Sequence, residues 1–308
     1  MSMSKLLERT NLTEAQSAFW LGYRLQHGVP LDTHHTTFIF DINGPLIVPR
    51  FRAAIRRTID SSDALRSVIV DIRGIPQRRT VAELRYELPV ISFAERADPR
   101  QACREWVELR HRADKDWSEH LFDCALIELS KQAYVWYLQI HHAAADARAF
   151  WLIVRRVERF YEEGAESGPA SDATRSEGEF ARYADFERRF RASSRYARSR
   201  AYWEQKLGAA APEPRITDSM LLEQALKTHR LTRRLDPETS RQLLQLTMDR
   251  ALISPAVPFM TALFAFLGKC MVGVTFDGRP MGFRTRSACS RGRARSWWMS
   301  HRTRASCR

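Results

Sequence analysis

The stretch that most constrains this chain runs from Phe122 to Tyr161, where the apolar pattern changes period. FDCALIELS (122–130) and AYVWYLQI (133–140) are dense in apolar, β-branched and aromatic residues, and only Lys131-Gln132 separates them. They read as two strands joined by a tight connection. After HHAAADA (141–147), Phe150, Ile153, Val154, Val157, Phe160 and Tyr161 recur at helical spacing. A strand pair therefore feeds a short loop and then a helix, and two histidines stand where the second strand ends.

The rest of the chain alternates in the same way, which predicts an α/β class. Thr13 and Gln16 have capping-box spacing ahead of a helix in AQSAFWLGYRL, and TTFIFDI (36–42) reads as a strand. Val48, Phe51, Ile55 and Ile59 define one face of a helix. RSVIVDI, then Arg73-Gly74, then a polar strand over 77–81 predict a hairpin. Asp98-Pro99 opens a helix with Cys103, Trp106, Val107 and Leu109 as candidate packing residues. Residues 163–179, rich in Ser, Gly, Glu and Ala, read as a linker. Beyond it the patterns predict helices over 180–207, a strand over 226–235, helices over 236–249 and 258–269, and a core strand over 270–276.

The chain has 308 residues, enough for two domains, and no apolar run approaches 18 residues, which excludes a spanning helix. The first ten residues do not read as a secretory signal. Five scattered cysteines without a CxxC pair argue against a zinc module and a disulfide framework, and fit a cytoplasmic setting. The net charge of +13 invites a nucleic-acid reading, but residues 284–308 carry eight Arg and no acid and so supply +8 of it. No nucleic-acid or membrane partner is expected. The basic tail, poor in aliphatics, is expected to be disordered.

Imidazole exchanges a proton near neutrality, so a His at the end of a rigid strand can act at a cleft. Neighbours on an extended chain point to opposite sides, so one of His141 and His142 is structural, and no further ligands of the right spacing make the pair a metal site. Asp146 lies where it can cap the following helix or form an ion pair that braces the loop.

HHAAADA resembles the HHxxxDG motif of the condensation domains of nonribosomal peptide synthetases, in the chloramphenicol acetyltransferase-like superfamily. Other segments agree in order. Leu12–Gln16 with Phe19-Trp20-Leu21 resembles the first motif of that family, and Asp63-Ala64-Leu65-Arg66 the second. Phe122-Asp123 falls where the family has FD, and Tyr183-Ala184-Asp185-Phe186 matches YxDF. Tyr202-Trp203 and Gly278-Arg279-Pro280 complete the series.

The resemblance implies a two-lobed α/β fold with the active site in a tunnel between lobes. The first lobe is expected over 1–165, a partial second lobe over 166–283, and the tail over 284–308. It implies amide-bond formation between a carrier-bound acyl or peptidyl thioester and a carrier-bound amino acid. No cofactor is bound; the phosphopantetheine arm of a carrier protein brings the substrate, and carriers or neighbouring synthetase modules act in trans. His142 is the implied catalytic residue, taking a proton from the attacking amine or positioning it. His141 and Asp146 are implied to be structural, with Arg279 as the implied partner of Asp146 and Arg66 as the second candidate. An ester-forming or acyl-CoA acyltransferase, and a non-catalytic remnant or carrier-docking module, are the alternatives. Three departures bear on activity. Ala147 replaces the motif's Gly, which fits only if φ is negative there and is expected to reduce turnover. Ser62-Asp63 replaces His-Glu. Past Pro280 no further family motif is recognisable, so the second lobe is expected to be incomplete and to expose apolar surface around 258–276.

Overall fold

The structure is a computed structural model that describes residues 9–25, 35–113, 116, 118–164, 178–208, 232–248, 256–267, 272–274 and 295–297. The described residues up to Ala197 form one compact unit, and those from Arg198 onward form another.

The first unit is built on a four-stranded sheet in the order β1-β6-β5-β4: β1 (His35–Asn43), β6 (Ala133–His141), β5 (Phe122–Ser130) and β4 (Val90–Ser92). β1 and β5 run antiparallel to β6, and β4 runs parallel to β5. Strand alternation sorts the side chains onto two faces. Leu126, Trp136, Leu138 and Ile140 meet two helices, α2 (Val48–Asp60) and α4 (Ala147–Glu163), through Phe51, Ile55, Ile59, Phe150, Ile153, Val157 and Phe160. Each such side chain, fully buried, contributes roughly 1.5–3 kcal/mol of apolar transfer. Ala125, Ile127, Leu129, Val135 and Tyr137 face Cys103 and Val107 of α3 (Pro99–Arg112). Leu109 does not join them: it is 75% exposed, because it lies about 200° around the helix from Val107.

The Thr13–Gln16 capping box forms as expected at α1 (Glu14–Leu25). The Thr13 N–H donates to Gln16 Oε1 (3.1 Å) and the Gln16 N–H to Thr13 Oγ1 (3.2 Å). The predicted hairpin is β2 (Ser67–Ile72) and β3 (Ile75–Thr80). Arg73 and Gly74 both have positive φ (54° and 78°), the handedness a two-residue hairpin turn needs. Asp98 caps α3 by accepting from the Gln101 N–H.

After α4 the linker falls almost wholly outside the described residues. α5 (Glu179–Arg191), which carries the YxDF segment, belongs to the first unit. It buries Phe180, Tyr183 and Ala184. The Phe180 N–H donates to Asp63 Oδ2 (2.7 Å), the Glu14 N–H donates to Glu187 Oε2 (2.6 Å), and Arg78 lies over the Phe180 ring. These contacts place the division between units beyond α5 and not at residue 165.

The second unit holds most of α6 (Ser194–Gly208), together with α7 (Pro237–Met248), α8 (Ala256–Leu267) and a small pair of strands, β7 (Val272–Val274) and β8 (Arg295–Trp297). Two expectations are corrected here. Residues 232–235 are irregular and not a strand; the remainder of 226–235 lies outside the described residues. Within the basic tail, three residues do take regular structure, because β7 offers a backbone edge that Arg295–Trp297 pairs with. The expected apolar exposure is present on α8, where Val257, Phe259, Leu263 and Phe266 face outward.

Candidate active site

The site is assembled where β6 ends. His141 is the last residue of β6 and stands opposite His35 of β1. The two rings meet edge-on at 4.7 Å. His141 is buried, and its Nδ1 accepts from the Ala143 N–H (2.9 Å), so the ring braces the turn that follows it. The Ala144 and Ala145 N–H groups return to the His141 carbonyl at 2.9 and 3.3 Å. Ala143, Ala144 and Ala145 are all buried, which explains the run of small residues: larger side chains would not fit inside this turn.

His142 is half-buried and does different work. Its Nδ1 lies 3.3 Å from the Ala145 carbonyl oxygen and its Nε2 lies 3.0 Å from Thr36 Oγ1. A carbonyl only accepts, so Nδ1 carries the proton and the Nε2 lone pair of the neutral ring points away from the loop. The Phe19 ring stacks on the imidazole, with centroids 5.6 Å apart and planes within 10°. Helix α1 thus fixes the plane of the ring. It also fixes the loop: Gln16 Nε2 donates to the Ala143 carbonyl (2.8 Å).

Asp146 caps α4. Its Oδ1 accepts from the Ala149 N–H (2.8 Å), one of the two roles open to it from sequence. Arg66, the second candidate for its ion pair, is not its partner. The Arg66 guanidinium is buried and its Nη1 donates to the Val81 and Ala82 carbonyls, because Arg66 immediately precedes β2 and lies against the strand's hairpin partner. Arg279 lies outside the described residues. Ala147 is the exposed first residue of α4. Among the described residues Arg73 is the only non-glycine with positive φ, so the Ala147 methyl meets no backbone strain.

Beside the histidine loop, Arg110 of α3 grips Asp123 of β5 with two bonds, Nε–Oδ2 at 2.7 Å and Nη2–Oδ1 at 3.0 Å. The bond raises the Arg110 pKa. Tyr86 donates to the Cys124 carbonyl (2.6 Å) and accepts from the Cys124 N–H (2.8 Å). Burial raises its phenol pKa and pushes the Cys124 thiol up to about 12. These groups hold the strand ends, and the raised values of Tyr86, Cys124 and Arg110 keep those three from exchanging protons near neutrality. Among the described residues no cluster of three His, Cys, Asp or Glu is placed to hold a metal ion.

Sequence reading found His141, His142, Asp146 and the α1 motif. It missed that Thr36 and Gln16 reach the histidine loop. Gln16 was legible as a cap, but neither contact leaves a local signal, since the partners lie 106 and 127 residues apart.

The family model of the Condensation domain matches residues 8–282. The chain belongs to the condensation-domain family. This condensation domain is 27% identical over 209 residues to the isonitrile lipopeptide synthase of Streptomyces coeruleorubidus, a match covering 67% of this chain and 14% of that protein. It is 27% identical over 221 residues to the dimodular nonribosomal peptide synthase of Bacillus subtilis (strain 168), covering 68% of this chain and 9% of that one. The chain thus spans a small part of the length of these relatives. Its fold matches the first condensation domain of the CDA synthetase with a TM-score of 0.69 at 23% identity, over 90% of this chain and 67% of that one. It also matches the R148A mutant of the starter condensation domain of rhizomide synthetase RzmA in complex with C8-CoA (TM-score 0.71, 22% identity, 90% and 63% covered). No helix among the described residues is long and apolar enough to cross a membrane.

Proposed function

We propose that this condensation domain joins a carrier-bound acyl or peptidyl thioester to the amine of a carrier-bound amino acid, with His142 as the proton acceptor. The observation that carries this reading is the seat of His142 between the Ala145 carbonyl and the Thr36 hydroxyl. Nδ1 faces the Ala145 carbonyl and Nε2 faces the Thr36 hydroxyl, so the proton-accepting edge of the ring is the one that meets Thr36. The amine nitrogen attacks the thioester carbonyl, and its proton passes to Nε2. The tetrahedral intermediate then expels the phosphopantetheine thiolate, which takes that proton back from Nε2. An amine is already a fair nucleophile, so holding it beside the carbonyl supplies much of the rate. His141 and Asp146 support the loop, one through the Ala143 N–H and the other as the cap of α4. Arg279 is proposed as the further partner of Asp146. Carrier proteins or neighbouring modules bring the two substrates, in the cytoplasm, and no bound cofactor takes part.

The test supplies a donor loaded on one carrier and an aminoacyl second carrier, with the free acyl-CoA as a parallel donor, and reads the amide by mass spectrometry. Carrier-dependent amide from the parent chain, lost at least a hundredfold in His142→Ala with an unchanged melting temperature, supports the reading. Equal turnover by His142→Ala overturns it, and acyl-CoA as the better donor reassigns the donor class.

A further inference from the structure

We propose that the Thr36 hydroxyl, which donates to Nε2 of neutral His142, relays protons to and from that nitrogen and accepts from it once Nε2 is protonated. The inference rests on the reading of His142 as proton acceptor. β1 pairs with β6 so that Thr36 stands opposite Ile140, and Phe38 and Phe40, further along the same face of β1, reach the core shared with Ile140. Thr36 therefore shares a face with Ile140 and with His142 two residues on. This is the diagonal cross-strand position, which lies within reach of a His side chain.

The direction of each bond follows from the geometry. Ala145 O fixes the proton on Nδ1, so the neutral ring accepts at Nε2 and Thr36 Oγ1 must donate across the 3.0 Å contact. A hydroxyl is both donor and acceptor. The amine's proton arrives on Thr36 Oγ1 as the hydroxyl passes its own proton to Nε2, and Oγ1 then accepts the new Nε2–H. Hydrogen bonds to an ionised partner are roughly twice as strong as neutral ones. The hydroxyl thus favours the protonated ring and holds it while the intermediate collapses. The departing thiolate takes the outer proton from Oγ1, Nε2 returns its proton to Oγ1, and the starting bond is restored. Valine has nearly the shape of threonine but can do neither.

The other titratable groups near His142 come from three elements. β1 also offers His35, β6 offers His141, the loop offers Asp146, and α1 faces the ring with the uncharged Gln16 and Phe19.

The experiment follows the His142 ring by NMR titration in the parent chain, Thr36→Val and Thr36→Ser, with His142→Ala identifying the signal. Condensation kinetics are measured beside it. The expected result is a midpoint about half a pH unit or more lower in Thr36→Val, with the parent value restored in Thr36→Ser. Turnover number falls about tenfold in Thr36→Val while KM stays within twofold. An unchanged midpoint in Thr36→Val, or a Thr36→Ser as impaired as Thr36→Val, overturns the proposal. If Thr36→Val does not fold, Thr36→Ala takes its place with the same expectations. The titration needs no turnover. A parent chain that makes no amide removes the proposed function, while the midpoint shift still decides the role of Thr36.

Discussion

Gln16 is the residue through which a change in helix α1 should reach the histidine loop. It is fully buried and holds two backbone groups at once: its Oε1 accepts from the Thr13 N–H, and its Nε2 donates to the Ala143 carbonyl. Gln16→Met keeps the volume and leaves no cavity, but leaves both groups without these bonds. A buried donor or acceptor deprived of its partner costs about 1–3 kcal/mol. Two such groups give an expected loss of about 2–6 kcal/mol, the sum of the two. Urea unfolding followed through the fluorescence of buried Trp20 and Trp136 measures it. Gln16→Glu separates the two bonds. It retains an acceptor for the Thr13 N–H but brings a carboxylate oxygen against the Ala143 carbonyl, so it disturbs the loop more than the cap. Both variants are expected to lower condensation turnover by about tenfold or more, since small displacements at a reacting centre are costly. A loss under about 1 kcal/mol in Gln16→Met would refute the assignment of Gln16 as the tie between helix and loop. So would Gln16→Glu as stable and as active as the parent.

Two further outcomes follow from groups near the strand ends. The Arg110–Asp123 pair is asymmetric, because the Asp123 side chain is 2% exposed and that of Arg110 45%. Arg110→Met leaves a buried carboxylate and is expected to cost about 3–5 kcal/mol, whereas Asp123→Asn, which leaves Arg110 able to reach water, costs less; urea unfolding of both variants and the double variant checks the order. The Cys124 thiol, pushed up to about 12 by burial, binds its proton more tightly folded than unfolded. Its contribution is complete below the ordinary thiol value of 9.0 and declines as pH rises from there toward 12, by at most about 1.4 kcal/mol per pH unit. Thermal melts of the parent between pH 8 and 11 are expected to fall more steeply than those of Cys124→Ala, and parallel curves would contradict this.

Much of the first unit could be read from local pattern, because its elements state their own period. The β5–β6 pair, the α4 stripe, the Thr13–Gln16 box and the Arg73-Gly74 turn all involve neighbours within a few residues. β4 left no such mark: Val90–Ser92 is three residues long, follows a proline, and is a strand only because β5 lies alongside. Leu109 was misplaced because its apolarity suggested burial, while the helical angle that decides burial is set by where α3 meets the sheet. In the site, His141, His142 and Asp146 were visible as a motif. The division of labour between the histidines follows from strand alternation, but Thr36 becomes a neighbour of His142 only through the β1–β6 register. The second candidate partner of Asp146 failed for a local reason: Arg66 Nη1 is held by the Val81 and Ala82 carbonyls beside its own hairpin.

That register also fixes when the site can exist. The contacts that orient His142 come from residues 16, 19, 36 and 145, and those from α1 and β1 span more than a hundred residues. Closing loops of that size is paid in chain entropy before any contact returns it. During synthesis on a ribosome, the first strand of the sheet must therefore wait, edge bare, until β6 and its loop emerge. The histidine's orientation then appears in one step with the closure of the sheet, which makes the state of that ring a direct readout of whether the first unit has finished folding.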